Sequence, residues 1–462
     1  MASLVKSKGK AWLLWAALAC LVVPMFGSYF FDDMFSAVSS IFQNPSQLEL
    51  GWNEGQYGFY TSAYSTLCVF GGLIVCGMLL DMWGVRVTGS IFVGMMTAGA
   101  ALVLYALRSG LPPQRSMMLA YTGAMFFGLG SEIAGTAVNR SIAKWFKGGN
   151  MAFAMGLQLA IARLGTAAAM VVSPMLIKEK AGVYTLGETA RPAEVGLMLL
   201  LLGCLLWALF VALDARFDAR RKLVISSEAE KSTSASDADR FRLSDVWGVL
   251  TSRNFLLLSL LCVLFYSAII AFKKFGGAIL VPRFGISSAS AGWMISALPF
   301  STVIFAPLFG LMVDRFGHGT RWMIAGSVLA LAAHLLLAFG PQGVPAWGYI
   351  AMALLGFGYS LVPAALWPSV PKIVPERVLG TTFALVYWVQ NLGLMLFKML
   401  AGWIMGARTD GDPSDSARIA GAVDVELMFV ILCVAAIAIA WLFARSSDRN
   451  PALGLDAPAG KS

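Results

Sequence analysis

The sequence predicts an all-α membrane protein: twelve transmembrane helices in two pseudo-symmetric six-helix bundles, with both termini cytoplasmic. Three observations predict it. Hydrophobic residues fill 58% of the 462 positions and charged residues only 13%, whereas a soluble domain runs near 25% charged. Too little polar surface exists to cover a water-soluble particle of this size. Apolar stretches of about 20 residues, the length that crosses a bilayer, recur along the chain. Blocks of the first half also return in the second.

The elements follow in order. Lys6, Lys8 and Lys10 precede an apolar run at 11–36, longer than a signal-peptide core and therefore a retained first span. Spans 2 to 6 are read at 55–80, 88–107, 118–143, 152–176 and 195–214. The stretch 215–253 differs. Arg216, Arg220, Arg221, Lys222 and the run SSEAEKSTSASDADR give it the composition of a solvated linker. Spans 7 to 12 follow at 254–281, 289–313, 322–340, 344–370, 378–405 and 421–444. The units are thus an N-terminal bundle (1–214), a cytoplasmic linker (215–253), a C-terminal bundle (254–444) and a cytoplasmic tail (445–462).

Charge sets the orientation. With the N-terminus inside, 22 Lys/Arg fall on the inner side and 8 on the outer, and Arg163, Lys273, Lys274 and Lys398 lie within spans. The positive-inside rule then puts both termini and the linker in the cytoplasm. It also accounts for the +9 net charge, so no nucleic-acid partner is called for. The six cysteines lie in apolar runs without a CxxC pair, the pattern of buried free thiols.

GMLLDMWGVR (77–86) returns as GLMVDRFGHG (310–319), and KWFKGGNMAFAMGLQLAIARLG (144–165) aligns without gaps to KIVPERVLGTTFALVYWVQNLG (372–393). Two similar halves imply a pseudo-two-fold axis and a central cavity, the plan of many secondary transporters.

Asp81, Gly84 and Arg86 form a tight turn after span 2, echoed by Asp314, Gly317 and Arg321 after span 8. The turn is either a charged latch that gates one conformation or a plain helix stop with topogenic charges. Glu132 and Arg163 are the sharpest pair. Each stands 11 residues from the inner end of its span, about 16 Å deep in a core roughly 30 Å thick. An unpaired arginine there costs at least about 2.5–3.5 kcal/mol. The two are therefore a structural ion pair or a substrate and coupling site.

Gln390 and Asn391 interrupt span 11, with amides suited to a peptide-bearing solute or to helix–helix bonding. Lys273, Lys274 and Lys398 are read as snorkelling to the outer interface. Asp32 and Asp33 sit at the outer end of span 1 as solvated carboxylates or an outer gate. Tyr29, Tyr266, Tyr359 and Trp367 line the path or merely pack. Enzyme signals are missing. His318 and His334 stand alone and no phosphate-binding glycine loop occurs, so no catalytic residue, metal or cofactor is expected. The sole sequon, Asn139-Arg140-Ser141, falls at the inner end of span 4.

The pattern G-x-L-x-D-x-x-G-x-R resembles the signature loop of the major facilitator superfamily. Within it, GSYFFDDM (27–34), FYTSAYSTLCVFGGLIVCGMLLDMWGVR (59–86), AKWFKGGNMAFAMGLQLAIARLG (143–165), CVLFYSAIIAF (262–272) and LWPSVPKIVPERVLGTTFALVYWVQNLGL (366–394) resemble the lysosomal dipeptide-transporter family and its bacterial relatives. The resemblance implies that Glu132 and Arg163 hold the two ends of a dipeptide. The expectation is a transporter of small zwitterions, dipeptides above all, working by alternating access, with a proton as a candidate coupled partner. The near rival is an organic-anion transporter in which Arg163 binds the carboxylate and Glu132 carries a proton. A non-transporting receptor is the rival from another class. Without a dileucine-type address or a luminal sequon, a bacterial inner membrane is expected.

Overall fold

The computed structural model describes residues 8–146, 151–225, 243–374, 379–409, 412 and 414–458. Thirteen α-helices are described: α1 (Lys8–Asp33), α2 (Glu54–Leu67), α3 (Leu73–Arg108), α4 (Pro113–Trp145), α5 (Met151–Leu176), α6 (Leu186–Ile225), α7 (Leu243–Leu250), α8 (Arg253–Phe284), α9 (Ser288–Phe316), α10 (Gly319–Phe339), α11 (Pro345–Ile373), α12 (Leu379–Thr409) and α13 (Asp415–Arg449). Helix is what lipid demands, because a backbone with no water to bond must satisfy its own N–H and C=O groups. Among the described residues, eleven helical stretches have the length and apolarity to cross a membrane. The helix α4 falls short of that apolarity because it carries Ser131, Glu132, Asn139 and Arg140.

Several boundaries depart from the sequence expectation. Spans 2 and 3 meet inside α3 at Gly84, whose φ of 76° turns the chain without ending the helical run. Part of the stretch read as linker is helical, since α6 runs on to Ile225 and α7 begins at Leu243. Arg and Lys are good helix formers, so leaving the membrane does not end the helix. The tail is folded against the bundle as well. Asp456 accepts from Thr320 N (2.9 Å) and Ser447 Oγ (2.7 Å) and so caps the start of α10.

Within the first half, α1 packs on α5 and α6, and α4 packs on α2 and α3; in the second, α13 packs on α8 and α10, and α11 on α9 and α10. The halves meet through α2 with α12 and α5 with α9. The end bearing the linker is called inner here, following the charge count, and the opposite end outer.

The outer end is closed. A Cβ built on Gly58 of α2 would lie 2.6 Å from Gly402 Cα of α12, and one on Gly292 would lie 2.1 Å from the Met170 carbonyl. Only the missing side chain allows either approach. Gly277 N donates to Ser36 O (2.9 Å), Gln43 Nε2 to Ala278 O (2.9 Å) and Tyr57 OH to Lys274 O (2.8 Å), all across the halves. Among the described hydrogen bonds and ion pairs, none joins the halves on the inner side of Val69–Trp388 and Arg163–Tyr359. Among the described residues, the contacts that tie the halves together lie at the outer end and at mid-membrane.

Candidate functional site

At mid-membrane the site is built from Glu132 on α4 and Arg163 on α5. Glu132 lies thirteen positions before Trp145, and Arg163 twelve after Met151, so the two share a depth. Both are half-buried. The sequence allowed them to meet as an ion pair, but among the described ion pairs none joins Glu132 to Arg163. Each is held by a tyrosine instead. Tyr64 OH on α2 donates to Glu132 Oε1 at 3.1 Å, and Arg163 Nη1 donates to Tyr359 OH on α11 at 2.9 Å. The guanidinium also lies over the rings of Tyr29 (5.8 Å) and Tyr359 (5.4 Å), a cation–π cage of the kind that favours Arg. Tyr29 is within electrostatic reach of both charges.

Polar support continues outward from each charge. Ser131 Oγ bonds Ser28 Oγ at 2.6 Å and accepts from Tyr64 OH at 3.1 Å, fixing α4 against α1 and α2. On the other side Tyr266 meets Tyr359 edge-on (6.2 Å) and accepts a bond from Trp367 Nε1 (2.8 Å), while Trp367 stacks on Tyr387 (4.8 Å). Tyr266, Tyr359 and Trp367 are thus one aromatic wall behind Arg163, supplied by the second half. Gln390 and Asn391 are buried on α12. Asn391 Nδ2 bonds back to Tyr387 O of its own helix (3.1 Å), and its Oδ1 has no partner. Its carbonyl oxygen is thus a buried acceptor without a protein partner.

Three sequence expectations are overturned outside this core. Lys273, Lys274 and Lys398 do not snorkel: their exposures are 6%, 2% and 2%. Nor are Asp32 and Asp33 a solvated pair. Asp33 is buried and receives Lys273 (2.7 Å), Lys274 (2.9 Å) and Thr166 Oγ1 (2.8 Å), and Asp32 pairs with Lys274 at 2.7 Å. Snorkelling supposes a stem that faces lipid, and position along the span does not reveal which face of its helix each lysine takes. His334 does not stand alone either. Its Nδ1 lies 2.7 Å from Glu426 Oε2, both groups fully buried between α10 and α13.

The turn residues divide. Arg86 bonds Asp214 (2.7 Å) and Asp218, and Lys144 bonds the same two carboxylates at 2.8 Å each, so the cluster ties α3, α4 and α6 inside the first half. The Asp81 side chain lies outside the described residues. In the second half the echo is one of backbone alone. Gly317 repeats the positive φ (66°), but Asp314 and Arg321 are exposed, and the Asp456 cap takes the place of the charge cluster. Tyr64, Asp214 and Asp218 were missed by sequence reasoning. For Tyr64 the available signal was the run Tyr57, Tyr60, Tyr64 at helical spacing on one face of α2.

Known proteins share the fold of this chain. A family model described as Major Facilitator Superfamily matches residues 25–397 and 275–460. The chain is 30% identical over 386 residues to the Lysosomal dipeptide transporter MFSD1 of Homo sapiens, covering 83% of this chain and 78% of that one. It is 30% identical over 437 residues to the Lysosomal dipeptide transporter MFSD1 of Danio rerio, with 94% and 87% coverage. Among solved structures, a bacterial homolog to the human lysosomal transporter Spinster, in an inward-facing and occupied conformation, superposes with a TM-score of 0.67 at 16% identity, covering 95% of this chain and 98% of that one. A peptide transporter POT gives 0.61 at 15% identity, with 93% and 95% coverage. These last two speak to fold alone. The chain belongs to the major facilitator superfamily and is a multi-pass membrane transporter, not an enzyme.

Proposed function

We propose that the protein moves small zwitterions, dipeptides above all, across a bacterial inner membrane by alternating access of the halves 1–214 and 254–444. The observation that carries this is that Glu132 and Arg163 stand at one depth on two helices of the first half, each bonded to a tyrosine rather than to the other. A half-buried carboxylate and guanidinium left apart have only neutral tyrosine hydroxyls and rings as partners, so a ligand bearing both opposite charges completes them. The ammonium of a dipeptide meets Glu132. Its carboxylate meets the Arg163 fork in bidentate fashion.

Tyr359, from the second half, shares Arg163 with the substrate, so loading the site bears on the contact between halves. The Asp32/Asp33–Lys273/Lys274 cluster then acts as the outer gate, and the Gly84 and Gly317 turns, with Asp81, Arg86, Asp314 and Arg321, as the inner one. Relatives named as dipeptide transporters support the substrate class. Glu132 is the group that would carry a coupled proton. Transport into proteoliposomes tests both points. Dipeptides are expected to enter, and free monocarboxylates to fail as competitors. A pH gradient that drives accumulation marks proton coupling, and equilibration alone marks uniport. Uptake of monocarboxylates without dipeptides would favour the organic-anion rival, in which Glu132 has no ligand group to meet.

A further inference from the structure

Lys398 is the charge that a simple zwitterion site leaves over. It lies on α12 and is 2% exposed. Its Nζ sits 5.7 Å from the centroid of the Tyr64 ring, and it takes part in none of the described hydrogen bonds or ion pairs. A ring face is a partial partner for an ammonium. One withdrawn from water otherwise needs a carboxylate or several oxygen acceptors.

The surrounding charges do not supply one. Asp32 and Asp33 are taken by Lys273 and Lys274 in direct bridges, although all four are within electrostatic reach of Lys398. Glu132 is also within reach, but it is bonded by the Tyr64 hydroxyl and, in the dipeptide reading, takes the ligand's ammonium. Counted together, Glu132, Arg163 and Lys398 carry one surplus positive charge.

Tyr64 fixes where that surplus lies. Its hydroxyl holds Glu132 and its ring face holds Lys398. Through Tyr64, Lys398 stands beside the Glu132 end of the site, where the first residue of a ligand with its ammonium at Glu132 would lie. We propose that Lys398 is a specificity-determining residue, a second anion-binding point that reads an acidic side chain on the amino-terminal residue of the substrate. The proposal rests on the dipeptide reading and adds to it a charge and a position.

Two pairs of ligands of near-equal shape test it on the purified full-length protein. Glu-Ala and Gln-Ala differ by a charge in the first residue, and Ala-Glu and Ala-Gln by the same charge in the second. Glu-Ala is expected to bind about tenfold more tightly than Gln-Ala, as a charge-assisted contact allows, with a much smaller ratio for the second pair. Lys398→Met should bring the first ratio near one, and Lys398→Arg should keep most of it. Equal affinity for Glu-Ala and Gln-Ala in the wild type overturns the proposal with no variant needed. An unaltered ratio in Lys398→Met overturns it as well. If Ala-Ala binds normally in either case, only the role of Lys398 falls. If no dipeptide binds at all, the dipeptide reading falls and takes this proposal with it.

Discussion

At the scale of single residues, the decisive fact is which buried charges have partners. Asp33 is heavily partnered, with two lysines from α8 and a threonine from α5 on one carboxylate. Breaking a buried ion pair by removing one member costs about 3–5 kcal/mol, because the other member stays buried and unpaired. The bridge joins α1 to α8 across the halves, so it exists only while the outer end is shut. Asp33→Asn should therefore shift the population toward an outer-open state. The reporter is a cysteine in place of Ser39, which is fully buried and bonded to Ala278 N. Its labelling from outside should quicken several-fold in Asp33→Asn. An unchanged labelling rate would leave the cluster as a static tie.

Elements show where the sequence was legible. The spans were readable because lipid imposes length and apolarity, and those are properties of composition. Glu132 and Arg163 were readable too, as charges in apolar runs. Their tyrosine partners were not, because a contact 68 or 196 positions away leaves no local period. The same holds for His334 and Glu426, 92 positions apart. The bend in span 2 was also hidden. Gly71 takes φ 94° inside the stretch Cys68–Gly72, and Trp388 Nε1 of α12 donates to the Val69 carbonyl at 2.6 Å. A helix irregularity at membrane depth is tolerated where a neighbour satisfies the backbone in this way.

Close packing of α2 on α12 gives the prediction at this scale. A Cβ on Gly402 would lie 2.6 Å from Gly58 Cα and 2.7 Å from Glu54 O, so neither side can yield without moving a helix. Gly402→Ala should insert and fold, yet close its outer end poorly, with transport down at least about tenfold in proteoliposomes; a contact strained across a packed interface costs typically 1–3 kcal/mol. Wild-type rates in this variant would mean that the Gly58–Gly402 approach is not needed for turnover.

For the whole molecule, orientation and chemistry are tested separately. Since 22 of the loop and tail cations lie on one side, a cysteine at Ser234 should label only from the cytoplasm and one at Ser46 only from outside. The opposite pattern would exchange the inner and outer gates. The chemistry rests on Glu132 and Arg163 reading the two ends of one ligand, and peptide capping combined with substitution measures that directly. N-acetylation should weaken binding of Ala-Ala to the wild type about tenfold or more but add little in Glu132→Gln, where the ammonium has already lost its partner. C-terminal amidation should behave likewise against Arg163→Gln, and Arg163→Lys should recover little because the fork is lost. If both capped peptides compete as well as free Ala-Ala, the two charges do not read the ligand's ends, and the zwitterion site is wrong.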